Sequence, residues 1–200
     1  FIDRGASSSS SPREMAELCD VVITCLPSPK ACSEVMESED GVIAGLKEGK
    51  VWLEMSTTDE AEIRRIGTIV ESTGALPIDC PVSGGCHRAD TGNISIFAGC
   101  KREAFDKALP ILTTLGRRVL HTGDLGTAST LKVMTNYLAT VNLVSISEAL
   151  TTMKVLGMDM NVTYEAIKAS SGNSFVHETE SQVILNGSRD ISFTMDLVSK

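Results

Sequence analysis

At 200 residues the chain is long enough for one large domain or two small ones. With 42% hydrophobic and 22% charged residues it has globular rather than disordered composition. A formal net charge of −8 argues against a nucleic-acid binder, whose footprint is basic, and no apolar run reaches the roughly 18 residues needed to span a membrane.

Ser11-Pro12-Arg13-Glu14 is a capping box with Pro at the first helical position, which predicts a helix over 12–18. Residues 20–26 (DVVITCL) form a β-branched apolar run, a strand covered on both faces, ended by Pro27 and Pro29. A helix over 31–37 and a Gly-punctuated turn region follow. Residues 51–55 (VWLEM) predict the next strand, and Thr57 with Glu60 a second capping box for a helix over 59–72. Strands over 76–79, 93–98 and 118–121 alternate with a turn at 81–85 and a helix over 102–115. Strands separated by helices of this length predict βαβ units and a mostly parallel sheet with helices on both sides.

The pattern then changes. From Thr127 to Leu156 there is neither Gly nor Pro, and apolar residues fall on nearly every helical face. A helix apolar all round is buried, by its own domain or by a partner subunit. Further helices are predicted over 161–171, with Gly172 as the stop, over 174–185, and from 193 onward. The expected organisation is an α/β domain over 1–122 and an all-α domain over 123–200.

Six cysteines, at 19, 25, 32, 80, 86 and 100, contain no Cys-x-x-Cys pair, so their spacing matches neither a zinc site nor a redox motif. Cys25 and Cys80 lie in apolar runs, which predicts free, buried thiols in a reducing compartment, the cytoplasm or the mitochondrial matrix. The histidines show no metal-ligand spacing: His121 reads as structural, His177 as a surface residue, and His87 with Arg88 as part of a solvated loop. Glu54 and Asp79 end strands without forming an acid/base pair by position.

Two motifs carry chemistry. Asp79-Cys80-Pro81-Val82-Ser83-Gly84-Gly85 sits at a strand end, where open α/β sheets bind ligands. The glycine N–H groups and the Ser83 hydroxyl could cradle a carboxylate; a plain tight turn fits equally well. Lys132 stands near the start of the apolar helix with Asn136 on the same face one turn later. A desolvated Lys titrates lower and becomes a proton donor or acceptor; a Lys on a wet strip of the helix is the alternative.

In chain order, L-P-S-P at 26–29, M-S-T at 55–57, D-C-P-V-S-G-G at 79–85 and G-x-x-G-x-x-x-x-x-K-x-x-x-N ending at Asn136 resemble the β-hydroxyacid dehydrogenase family, in its 3-hydroxyisobutyrate dehydrogenase-like branch. The resemblance covers essentially the whole chain. It implies a Rossmann-type domain that binds NAD or NADP, an all-α 6-phosphogluconate-dehydrogenase-like domain through which the protein forms a homodimer or homotetramer, and a small hydroxyacid substrate. It implies Leu26, Pro27, Thr57 and Lys200 along the cofactor, and Ser83, Gly84 and Gly85 on the substrate carboxylate. Lys132 becomes the catalytic acid/base, with Asn136 on the substrate and Phe175 lining the site. Ala128 and Thr135 stand where the family often has Gly and Asn. Non-catalytic dimerising relatives and imine reductases of this fold are expected to lose the Lys, so Lys132 argues against both. The family's opening strand, Gly-x-Gly-x-x-Gly loop and helix are not in these residues. The chain therefore reads as truncated, with the pyrophosphate loop upstream of Phe1 and further residues after Lys200.

Overall fold

The computed structural model describes residues 1–188 and forms two compact units, 1–133 and 134 onward. After a short 3-10 turn over Ile2–Arg4, the first unit has α1 (Pro12–Leu18), where the Ser11 side chain accepts the Glu14 N–H as the capping box requires. Then come β1 (Val21–Thr24), α2 (Pro29–Glu37), α3 (Val42–Gly45), β2 (Val51–Glu54), α4 (Glu60–Ser72) and β3 (Leu76–Asp79). They are followed by β4 (Val82–Ser83), α5 (Cys86–Asp90), β5 (Ser95–Gly99), α6 (Arg102–Leu115) and β6 (Arg118–Gly123). The helix α7 (Thr127–Val155) runs from this unit into the second, which holds α8 (Met160–Lys168) and α9 (Phe175–Asn186).

Strands β1, β2 and β3 pair in parallel with aligned ends, Thr24 beside Glu54 and Glu54 beside Asp79. Side chains alternate across a strand, and β2 shows the consequence. Val51 and Leu53 face a core completed by Ile78, Ile96 and the α6 residues Phe105, Ala108 and Leu112. Trp52 faces the opposite core, with Met36 of α2 and Ile63, Ile66 and Val70 of α4. Burial on both faces explains why these strands read as continuous apolar runs.

The Rossmann-type architecture is thus present, but its sheet is mixed. β5 runs antiparallel to both β3 and β4 and parallel to β6. Parallel strands need a long crossover; the chain from β3 to β5 instead folds back through β4 and the short α5, a reversal without apolar periodicity. The short α3 escapes a periodicity reading for the same reason. Helix α4 is capped by Asp59, which accepts the Glu62 N–H, rather than by the expected Thr57. Helix α8 starts at Met160 because Asp159 accepts the N–H groups of Asn161 and Val162, and it ends at Lys168, short of Gly172. The helix expected from residue 193 lies outside the described residues.

The surface expectation for His177 fails: the residue is fully buried. Ser174 caps α9 by accepting the His177 N–H, which turns the ring inward against Tyr164 of α8; there Nδ1 meets Ser181 Oγ at 2.9 Å and Nε2 the Tyr164 carbonyl at 3.0 Å. Along α7 most apolar residues are open: Tyr137, Leu138 and Val144 are 59, 55 and 54% exposed. Among the described residues no helix is long and apolar enough to cross a membrane.

Candidate active site

The carboxyl edge of the parallel strands gathers the chemistry-bearing loops. Met55 N–H donates to the Thr24 carbonyl and Cys80 N–H to the Glu54 carbonyl, both at 2.8 Å, so three chain segments leave the sheet side by side. Leu26-Pro27 follows β1, Ser56-Thr57-Thr58 follows β2, and residues 80–85 follow β3. Ligands of open α/β sheets bind beyond this edge.

Glu54 organises the first two segments. It is fully buried, and its oxygens accept from the Thr24 hydroxyl at 2.7 Å, the Cys32 thiol at 2.6 Å and the Ser56 N–H at 2.7 Å. The Ser56 hydroxyl in turn accepts the Leu26 N–H at 2.8 Å. Leu26 and Thr57 are half-buried and Pro27 is exposed, so all three can be reached from outside. Glu54 therefore shapes the loops, and its full burial keeps it from solvent.

The Ser83 turn follows β3. Val82 and Ser83 pair with Ile96 and Ser95, which fixes the turn to the sheet. Gly84 and Gly85 have φ of 131° and 77°, a backbone conformation that disfavours any side chain. A Cβ on Gly84 would stand 2.8 Å from Arg88 Cδ. Arg88 thus packs half-buried over the turn instead of extending from a solvated loop.

Lys132 comes from the start of α7. It is half-buried, and burial pulls its amine below the ordinary lysine value. The first turn of α7 is bonded to the end of β3: Asp79, fully buried, accepts the Ser129 N–H on Oδ2 at 2.8 Å and the Ser129 hydroxyl on Oδ1 at 2.7 Å. One carboxylate therefore joins the segment leading to Ser83 with the helix carrying Lys132. Sequence reasoning missed this pair, since nothing in the spacing of two residues fifty positions apart signals a contact.

Asn136 lies one helical turn beyond Lys132, in the part of α7 that belongs to the second unit, and is half-buried. Phe175, also in the second unit, is the first residue of α9 and is 47% exposed. Lys200 lies outside the described residues.

All six cysteines are free thiols, but Cys19, Cys25 and Cys86 are exposed, against the expectation of burial for Cys25. Cys25 sits where β1 gives way to the Leu26-Pro27 loop, beyond the covered part of the strand. The buried thiols are held protonated: desolvation first, then neighbouring carboxylates, push Cys32 and Cys80 up, and Cys100 rises to about 12. Nucleophilic thiol chemistry needs the thiolate, so none of these three supplies it near neutral pH.

The strand edge fits a nicotinamide cofactor. Besides the accessible Leu26, Pro27 and Thr57, the hydroxyl of Thr58 is buried without a hydrogen-bond partner among the described residues, a polar orphan of the kind a bound polar group satisfies.

Comparison with known proteins agrees with this geometry. The NAD binding domain of 6-phosphogluconate dehydrogenase matches residues 1–123, and the NAD-binding domain of NADP-dependent 3-hydroxyisobutyrate dehydrogenase matches residues 126–200. The chain belongs to the β-hydroxyacid dehydrogenase family, and the cofactor of that family's fold is NAD or NADP. It is 30% identical over 200 residues to 2-(hydroxymethyl)glutarate dehydrogenase of Eubacterium barkeri, covering 100% of this chain and 66% of that protein. It is 31% identical over 183 residues to the mitochondrial 3-hydroxyisobutyrate dehydrogenase of Mus musculus, covering 92% of this chain and 55% of that protein. A 3-hydroxyisobutyrate dehydrogenase of Mycobacterium tuberculosis, solved with L-serine, superposes with a TM-score of 0.85 at 25% identity, over 95% of this chain and 67% of its own. The chain thus spans between about half and two thirds of the length of these curated relatives.

Proposed function

We propose that the protein is an NAD(P)-dependent oxidoreductase that interconverts a small 3-hydroxyacid and its semialdehyde or keto form, with Lys132 as the acid/base. The observation that carries this reading is an amine held below its ordinary pKa by burial, on a helix bonded to the strand that leads into the Ser83 turn. A bound nicotinamide supplies the hydride chemistry. Ser83 and the amides of Gly84 and Gly85 hold the substrate carboxylate. Neutral Lys132 takes the hydroxyl proton during oxidation, and protonated Lys132 returns it during reduction. Asn136 orients the hydroxyl and Phe175 contributes an apolar wall. Leu26, Pro27 and Thr57 line the cofactor, and Lys200 is the remaining cofactor residue of this reading. This reading divides the chain at 122/123, with α7 opening the second domain.

The relatives' names support a narrower substrate class. 3-Hydroxyisobutyrate, 2-(hydroxymethyl)glutarate and serine are all 3-hydroxypropanoates with a substituent on carbon 2. In each, a primary alcohol sits one carbon from the carbon bearing the carboxylate. A turn that grips the acid and a lysine that handles the alcohol suit that spacing. The open apolar face of α7 supports association of copies into a homodimer or homotetramer.

A positioned general acid/base contributes about 10²–10⁴-fold to rate, so Lys132→Ala in the full-length enzyme should lower turnover by about that factor in a dehydrogenase assay with either cofactor. Turnover close to wild type would overturn the assignment. The pH dependence has a defined sign. Oxidation needs the neutral amine, so its kcat/KM rises with pH through a pKa below that of free lysine and then levels. The reductive direction falls through the same pKa. Lys132→Arg, whose guanidinium stays charged, should abolish the rising limb of the oxidative profile.

A further inference from the structure

Asp79 is placed where two parts of the candidate site meet. It ends β3, is fully buried, and its carboxylate faces the first turn of α7. The opening N–H groups of a helix have no partner inside it. For α7 this carboxylate, from a strand fifty residues earlier, accepts the N–H and hydroxyl of Ser129, and Gly126 N–H donates to it as well. Burying a carboxylate is costly without compensation. Desolvation and the neighbouring Glu54 push the Asp79 carboxyl up, while the Ser129 and Gly126 hydrogen bonds act the other way. The three donated hydrogen bonds therefore offset part of the cost of burial.

A second contact seats the same turn. Gly99 of β5 pairs with Asp79 across the sheet. A Cβ there would come within 2.9 Å of the Asp124 carbonyl and the Thr127 hydroxyl and 3.1 Å of the Ala128 nitrogen. Ala128 and Ser129 are 0 and 1% exposed. The helix start is therefore held by two strand ends at once. Lys132 stands three residues past Ser129, about 4.5 Å along the axis at the helical rise. Ser83 stands four residues past Asp79, at most about 14 Å of extended chain.

We propose that Asp79 is a positioning residue that holds Lys132 in register with the Ser83-Gly84-Gly85 turn, so that its hydrogen bonds to Ser129 and Gly126 set turnover. The proposal rests on the reading of Lys132 as acid/base. A misplacement of about 1 Å at a reacting centre can cost about 10²-fold in rate, and a helix start hung on one carboxylate is a sensitive place to produce it. Asp79 itself reaches neither substrate nor cofactor, because its oxygens are engaged inside the fold.

The test uses the full-length enzyme with Ser129→Ala, which removes one hydrogen bond and no charge, and Asp79→Asn, which keeps the size but replaces one acceptor oxygen and the charge with an NH2 donor. Turnover is normalised to sites that bind NADH or NADPH. The titration of Lys132 is followed by NMR of the reductively methylated amine, assigned with Lys132→Arg. Asp79→Asn should lower normalised kcat by about 10²-fold and Ser129→Ala by about tenfold, on the scale of a 1 Å misplacement. The cofactor KM should stay within about twofold, and the Lys132 titration should move in both variants. A normalised kcat within about twofold of wild type in Ser129→Ala, with an unmoved Lys132 titration, would show that Asp79 only braces the fold; this outcome decides even if Asp79→Asn fails to fold. Lys132→Ala separates the two levels. If it keeps full turnover, the acid/base reading fails; if it is inactive while Ser129→Ala and Asp79→Asn behave as wild type, only the positioning role fails.

Discussion

On β2 of the first unit Trp52 and Leu53 are fully buried on opposite faces, whereas Tyr137 and Leu138, also large and apolar, are more than half exposed on α7. The difference follows from architecture. A strand layered between helices finds cover on both faces within one unit, and two separate cores result. Along α7, among the described residues, the apolar side chains find less cover. The helical unit does close a small interior, built around His177, Tyr164 and Ser181, with Leu150 of α7 also buried. The α/β unit thus covers its strands within itself, while the described residues leave part of the helical unit's apolar surface open.

The largest effect that would test this contrast lies in the first unit. Trp52→Ala removes a fully buried ring and the Nε1–H bond to the Thr24 hydroxyl, which itself donates to Glu54. Truncations of this kind cost about 3–5 kcal/mol. Denaturant unfolding of the full-length protein should show that loss as a lower midpoint with an unchanged slope. A loss under about 1 kcal/mol would mean that the two-sided core is not where the stability of this unit resides.

A smaller loss is expected from the interior of the helical unit. His177→Ala leaves the Ser181 hydroxyl and the Tyr164 carbonyl without the partner they share inside the fold. An unsatisfied buried polar group costs about 1–3 kcal/mol, so a loss of that order is expected in the same unfolding assay. A neutral result would place the ring in solvent, as its charged neighbours Glu178 and Glu180 suggest from sequence alone.

His177 also shows where sequence reading stops. The element pattern was legible because it rests on local rules: the Ser11 capping box, the β-branched run around Val22 and the absence of Gly and Pro along α7. The Ser83 turn and Lys132 were legible as motifs, since Gly84, Gly85 and the Lys–Asn spacing are short-range patterns. What was hidden depends on contacts distant in sequence. Glu54 and Asp79 occupy equivalent strand ends and look alike in the sequence, yet one braces the Leu26 and Ser56 loops while the other reaches Ser129. The antiparallel return through β4, the inward turn of His177 and the packing of Arg88 over Gly84 are of the same kind. Periodicity reports which face is apolar, not which distant group will meet it.

The smallest effect on folding, and the sharpest test of the second unit, comes from Leu138→Lys. Leu138 is 55% exposed, so the substitution should alter the stability of the isolated chain by no more than about 0.5 kcal/mol, the usual range for surface positions. If α7 pairs two copies, the same change buries an ammonium in an apolar interface, where an unpaired charge is strongly disfavoured. Sedimentation or light scattering of the full-length protein should then show the variant shifting toward monomer at concentrations where the wild type is assembled, with circular dichroism unchanged. Assembly that survives both Leu138→Lys and Val144→Lys would remove this face from the interface, and the exposed apolar residues of α7 would need another cover. Trp52→Ala is expected to do the reverse, lowering stability while leaving the α7 face intact, so the two variants together separate internal packing from assembly.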